Sequence, residues 1–182
     1  NPRLPALLEA ELAAAGKPLP GPPALTLVRS APRTWLLRDR ATYDLIVLPT
    51  IDTFGGTAGL DAIREQFLFT TEAFGDAWRR LSPRGALVVT CWMDYPPRHA
   101  LKMAAILAEM LAREAGGDPR TRVAAVRSWG TITFLVQKTP YTRVELRAIR
   151  DFCRRMNFDP ALLPDLRPPE RAAFNALADD RF

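Results

Sequence analysis

The sequence predicts an α/β fold with a doubly wound, mostly parallel sheet that ends in an antiparallel strand pair. Two apolar runs, residues 43–49 and 85–92, lack the polar alternation of a half-exposed strand, so we expect both to be buried on each face. Helical patterns separate these runs, as in parallel sheets covered by helices. Two further β-rich runs, residues 122–129 and 131–138, meet at Gly130 and predict a hairpin.

The N-terminal elements follow from the spacing of leucines and from the positions of prolines. Pro2 suits a first helical turn, and a helix to about residue 15 then carries an apolar stripe of Leu4, Leu7, Leu8 and Leu12. A proline-rich loop at residues 18–23 precedes a strand-like run at residues 24–29. Residues 35–38 predict one helical turn.

Three longer helices are predicted after the first buried strand. Thr71 can cap a helix with one apolar side, which carries Phe74, Ala77, Trp78 and Leu81. The break at residues 96–97 opens a long helix that ends at Gly116. Thr142 and Glu145 form a capping box at the start of the third helix.

Length and composition fit one ordinary hydrophobic core, because 48% of the 182 residues are hydrophobic. No apolar run approaches the roughly 20 residues that cross a bilayer. We divide the chain into a partial α/β domain at residues 1–159 and a polar extension at residues 160–182, with a short helix at residues 169–178. The start at Asn1 has neither an initiator Met nor a signal segment, so we expect a portion of a longer polypeptide.

Charge and cysteine content narrow the class of protein further. The net charge of +5 does not favour nucleic acid as a partner, because the 25 basic residues are scattered among 20 acidic ones. Cys91 and Cys153 lie in apolar patterns and are expected to be buried, which fits a reducing cytoplasm. The single histidine, His99, excludes a histidine-rich metal site and is expected to face solvent.

Four segments, in order along the chain, resemble the spermidine synthases, which share the class I S-adenosylmethionine-dependent methyltransferase fold. Residues 43–52 are similar to the family segment in which a Tyr-Asp strand ends in two acidic residues three apart, and residues 69–74 to its helix start. Residues 81–87 resemble its turn into the next strand, and residues 130–135 its last strand. The likeness covers residues 1–159 and is strongest to the bacterial branch in which this domain is joined to membrane helices.

The resemblance implies a transferase that uses S-adenosylmethionine or its decarboxylated form as substrate and moves an aminopropyl or methyl group to an amine or other small acceptor. Asp52 would be the catalytic carboxylate, because open α/β sheets bind ligands where their strands end. The implied nucleoside-binding residues are Thr50, Ile51 and Arg33, and the implied acceptor-binding residues are Asp52, Asp94 and Tyr95. A cytoplasmic protein is expected, either by itself or as the soluble domain of a membrane protein. Both a monomer and a homodimer fit the sequence.

Two positions depart from the family's pattern. Pro49 stands where the resemblance places the acid that deprotonates the amine, and residues 31–32 are Ala-Pro instead of an Asp-Gly pair near the adenine. The Gly-rich loop and the ribose-binding acid would lie before Asn1. An inactive domain kept for interaction or scaffolding is therefore the alternative. A third hypothesis, an RNA methyltransferase, is supported only by the pI near 9.8.

Some of these residues also have purely structural interpretations. Asp52 could cap the loop that follows the strand, and Gly55 and Gly56 could permit a loop conformation instead of forming a lid hinge. Trp129 is expected to pack within the hairpin instead of recognising a ligand.

Overall fold

The computed structural model describes residue 28 and residues 30–49, 69–93 and 96–170. Within these ranges the helices are α1 (Pro32–Arg38), α2 (Thr71–Arg79), α3 (Arg98–Glu114) and α4 (Arg143–Met156), with a 3-10 turn at Pro119–Thr121. The strands are β1 (Tyr43–Leu48), β2 (Leu81–Trp92), β3 (Val123–Arg127), β4 (Thr131–Gln137) and β5 (Asp159–Leu162). The helix predicted at residues 1–15 and the glycines at 55–56 lie outside the described residues. No described helix is long and apolar enough to span a membrane.

The five strands form one open sheet in the order β1-β2-β4-β3-β5. β1 and β2 pair in parallel, whereas β4 pairs antiparallel with both β2 and β3, and β5 pairs antiparallel with β3. The α/β class and the antiparallel β3–β4 hairpin are confirmed. The expected dominance of parallel pairing is wrong for the described strands, because β4 turns back tightly at Gly130 and enters the sheet between β2 and β3.

A close backbone approach joins the start of β1 to β2. Residues 82–85 bulge out between the partners of Tyr43 and Leu45, which are Leu81 and Ala86. A Cβ atom on Gly85 would lie 2.8 Å from the Tyr43 carbonyl oxygen, so only glycine fits this position without a backbone shift.

The main hydrophobic core lies between one face of the sheet and the helices α2 and α3. Thr70, one residue before the expected Thr71, caps α2 by accepting a hydrogen bond from Ala73 N at 3.1 Å. Phe74 and Trp78 from α2 are buried, as are Leu87, Val89, Ile132, Phe134 and Val136 from the sheet. Each such large side chain contributes about 1.5–3 kcal/mol when it leaves water.

The second face of the sheet is covered much less. α4 packs on β3 and β4, where Ala124, Leu146 and Leu163 form a small separate core. On the same face, Leu45 and Val47 of β1 are 55% and 51% exposed. The prediction that β1 is buried on both faces is therefore wrong for this structure, since an apolar strand pattern does not specify which element covers it.

α4 and β5 together close the C-terminal side of the sheet. The predicted capping box is confirmed, because Thr142 and Glu145 exchange hydrogen bonds at the start of α4. Asn157 ends the helix in the left-handed conformation with φ of 55°, and the chain then turns back into β5. β5 was not predicted from the sequence, since it is short and contains Pro160, a residue that sheets accept at an edge. The division of the chain at residue 159 stays a prediction.

The contribution of Tyr141, which precedes α4, to the stability of the fold depends on pH. Its hydroxyl donates a hydrogen bond to the Leu135 carbonyl oxygen at 3.0 Å, and burial raises the pKa of Tyr141 from 10.0 to about 12. Folding therefore favours the neutral phenol, and this contribution to stability is complete below pH 10 and is lost as pH rises to about 12.

We expect the free energy of urea unfolding to fall more steeply between pH 10 and about pH 12, measured at intervals of roughly half a pH unit, in the native protein than in Tyr141→Phe. The variant should start about 1 kcal/mol less stable because it lacks the hydroxyl hydrogen bond. Equal slopes for the two proteins would show that Tyr141 ionises as freely in the folded state as in the unfolded chain.

Candidate functional site

The candidate site is the edge of the sheet at which β1 and β2 both end. Leu48, the last residue of β1, is the register partner of Val89, and β2 continues to Trp92. Because the two strands are parallel neighbours, the chain leaves both at the same edge, which is where open α/β sheets bind ligands. The predicted residues that follow these strands lie outside the described residues: Thr50, Ile51, Asp52, Asp94 and Tyr95.

The described part of this edge is built from the end of β2 and the β3–β4 hairpin. Met93 N donates to the Gly130 carbonyl oxygen at 3.0 Å, and a Cβ atom on Gly130 would lie 3.5 Å from the Trp92 ring. The hairpin therefore fixes the direction in which the chain leaves β2. Pro49 is exposed at the neighbouring strand end.

Trp129 does not pack within the hairpin as expected. Its side chain is 88% exposed at the turn between β3 and β4. The turn is held instead by Ser128, whose backbone N donates to the Thr131 carbonyl oxygen at 2.9 Å. Sequence reasoning assigned packing to the tryptophan because it is large and apolar, but the turn places it outside the sheet.

The start of α1 is fixed by a buried carboxylate that the sequence did not single out. Asp76 of α2 is only 9% exposed, and its Oδ2 lies 3.1 Å from Arg33 Nε while its Oδ1 lies 2.6 Å from Arg79 Nη2. Arg79 also pairs with Glu114 of α3. Arg33, predicted to contact the nucleoside, thus holds α1 against α2, and its contact with a ligand stays a prediction.

The rest of α1 is anchored to the start of β1 and the end of α2. Arg80 Nε donates to the Leu36 carbonyl oxygen at 2.9 Å, and Trp35 Nε1 donates to the Tyr43 hydroxyl at 3.0 Å. The Tyr43 hydroxyl in turn donates to Asp39, which lowers the pKa of that carboxyl. These contacts position Ala31, which precedes α1 and offers no side-chain cap to the helix.

Hydroxyl pairs line the second face of the sheet near the same edge. Thr90 and Thr133 oxygens are 3.0 Å apart across β2 and β4, and Ser128 Oγ is 2.7 Å from Thr131 Oγ1. Sequence reasoning did not find these pairs, because they depend on the insertion of β4 beside β2. They supply polar groups on an otherwise apolar surface.

The titratable residues of the described ranges form no cluster of three or more that could hold a metal ion. Cys91 and Cys153 are both buried, as expected from their apolar neighbours in the sequence. His99 is exposed on α3, as expected.

No protein-family model and no curated protein matches the chain. Among solved structures, a probable spermidine synthase from Corynebacterium glutamicum is similar, with a TM-score of 0.54 and 23% sequence identity. The match covers 79% of this chain and 50% of that one, so the chain spans about half the length of its structural neighbour. The described sheet and helices therefore have a spermidine synthase-like fold.

We expect Asp76→Ala to lower the free energy of unfolding by about 1–3 kcal/mol, because it removes the carboxylate that pairs with Arg33 and leaves Arg79 with Glu114 alone. Denaturant unfolding measures this change. Asp151→Ala is the matched control, since Asp151 pairs with Arg154 within one exposed helix face and its loss should cost less than about 0.5 kcal/mol. Equal losses in the two variants would contradict a structural role for the Arg33–Asp76 pair.

Proposed function

We propose that the protein is a spermidine synthase-like transferase that moves an aminopropyl or methyl group from an S-adenosyl nucleoside to a small amine. The observation that carries the proposal is the parallel pairing of β1 with β2, by which the chain leaves both strands at one edge of the sheet, at Pro49 and Met93. Asp52 and Asp94 follow these positions in the sequence. The fold shared with a probable spermidine synthase supports the same class of reaction.

Each predicted site residue has a role in this proposal. Thr50 and Ile51 contact the nucleoside at the end of β1. Asp52 holds the acceptor amine through charge-assisted hydrogen bonds, and Asp94 and Tyr95 bind the acceptor from the end of β2. Arg33, whose ion pair with Asp76 holds α1 against α2, contributes to binding of the nucleoside.

The reaction demands alignment more than side-chain chemistry. The amine nitrogen attacks the carbon bonded to the sulfonium, the carbon–sulfur bond breaks, and the neutral thioether leaves while the amine loses a proton. The sulfonium is already activated, so holding the donor and the nucleophile in line supplies much of the rate. Pro49 carries no carboxylate, so the proton of the amine passes to solvent or to Asp52.

Titration calorimetry of the full-length protein tests the proposal directly. We expect S-adenosylmethionine or its decarboxylated form to bind with a dissociation constant of about 1–100 μM, as does methylthioadenosine, the product of aminopropyl transfer. In Asp52→Asn, binding of the amine putrescine to the nucleoside-loaded protein should weaken by about tenfold to 100-fold, because a charged contact worth roughly 1.5–3 kcal/mol is lost.

Asp44→Asn is the matched control, because Asp44 is exposed on β1 and bonds Ser82 at 2.7 Å, at the opposite end of the strand. It should leave the affinity for putrescine unchanged. The absence of heat with all three nucleosides would overturn the proposal and leave a domain that serves interaction or scaffolding.

A further inference from the structure

A cavity of about 510 Å³ lies between α4 and the second face of the sheet. Its floor is formed by Val126 of β3 and Leu135 of β4, and its roof by Ile149 and Phe152 of α4. Phe158, just after α4, closes one side. This volume is in the range of small-molecule sites, about 300–1,000 Å³.

Beside the cavity, α4 is fixed at its start and near its middle. At the start of the helix, Tyr141 bonds the Leu135 carbonyl oxygen, and Leu146 is buried in the small core. Beyond its midpoint, Arg150 pairs with Asp165 at 2.8 Å and with Glu170 at 3.1 Å. These contacts fix the position of the helix that forms the roof of the cavity.

An aromatic wall of the cavity is left partly uncovered. Phe152 is 41% exposed although it lines an apolar space, and its ring meets that of Phe158 edge-on with centroids 5.9 Å apart. A planar apolar molecule in the cavity would remove the exposed apolar surface of Phe152 from water.

The side chains that line the cavity favour a neutral ligand. None of the described lining residues is charged, so a charged ligand would lose its hydration without a compensating partner. Ser128, Thr131 and Thr133 contribute hydroxyl groups along one side. Ser128 is hydrogen-bonded to Thr131, and Thr133 is hydrogen-bonded to Thr90. Because a hydroxyl oxygen has two lone pairs, Thr131 and Thr133 can each accept a further hydrogen bond from a ligand.

The geometry points to a binding site for a neutral, largely aromatic small molecule that carries one hydrogen-bond donor. It lies over β3 and β4 on the second face of the sheet, and its hydroxyl-lined end is near the edge at which the proposed transfer site lies, but the inference does not depend on the proposed function. A second, shallower depression of about 340 Å³ adjoins it towards β1 and β2, where Leu45, Val88 and Glu145 contribute to the lining.

N-phenyl-1-naphthylamine, a neutral aromatic amine whose fluorescence rises in apolar sites, is the probe for this test. We expect saturable binding with one site per chain. Thr133→Phe fills the cavity with an aromatic ring that a strand accepts, and should weaken binding by at least about tenfold. Phe152→Ala removes the exposed ring without touching the main core, and should weaken binding by roughly threefold to tenfold.

Val88→Phe is the matched control, because it places the same ring on the same face but in the neighbouring depression. It should change the affinity less than about twofold. The proposal is overturned if the native protein gives no saturable signal, if Val88→Phe weakens binding as much as Thr133→Phe, or if Phe152→Ala leaves binding unchanged. Thermal unfolding of each variant verifies that it is folded.

Discussion

The central strand β2 is the element on which the rest of the structure depends. It pairs in parallel with β1 on one side and antiparallel with β4 on the other. β3 and β5 join the sheet beyond β4. One face of β2 carries Leu87 and Val89 into the main core, where α2 and α3 cover them. Its end lies at the edge that the proposed transfer reaction requires, so packing and function depend on the same hydrogen-bonded ladder.

The helices cover the two faces of the sheet to different extents. The face under α2 and α3 is closely packed and fixes α1 through the carboxylate of Asp76. The face under α4 is covered over β3 and β4 only, which leaves Leu45 and Val47 exposed and a cavity beside the helix. The first face thus supplies stability, whereas the second offers surface for a ligand.

Much of the fold could be predicted from local sequence patterns, and the failures have physical causes. Apolar runs located β1 to β4, and the capping box located α4, because these signals depend on neighbouring residues. The insertion of β4 between β2 and β3 is set by long-range pairing. The Arg33–Asp76 ion pair joins residues 43 positions apart, and nothing near either residue signals it. The burial of β1 was overestimated because a strand's own residues do not specify the element that covers it.

The sequence predicted where in the fold the candidate site lies, but not how its side chains are arranged. A resemblance in residues 43–52 drew attention to Asp52, and the parallel ladder places the preceding strand end beside β2. The departures at Ala31 and Pro49 were visible in the sequence alone. The structure adds that Ala31 precedes a helix anchored to α2 and to the start of β1.

Cysteine cross-linking measures the parallel β1–β2 register most directly. Val47 and Val88 are register partners on the open face, so a Val47→Cys/Val88→Cys variant should form a disulfide under mild oxidation, as its Cα atoms would be about 5 Å apart. Val47→Cys/Ala86→Cys, displaced by two residues, should remain mostly reduced. Efficient cross-linking of the displaced pair, or none in the aligned pair, would contradict the arrangement of strands on which the proposed site rests.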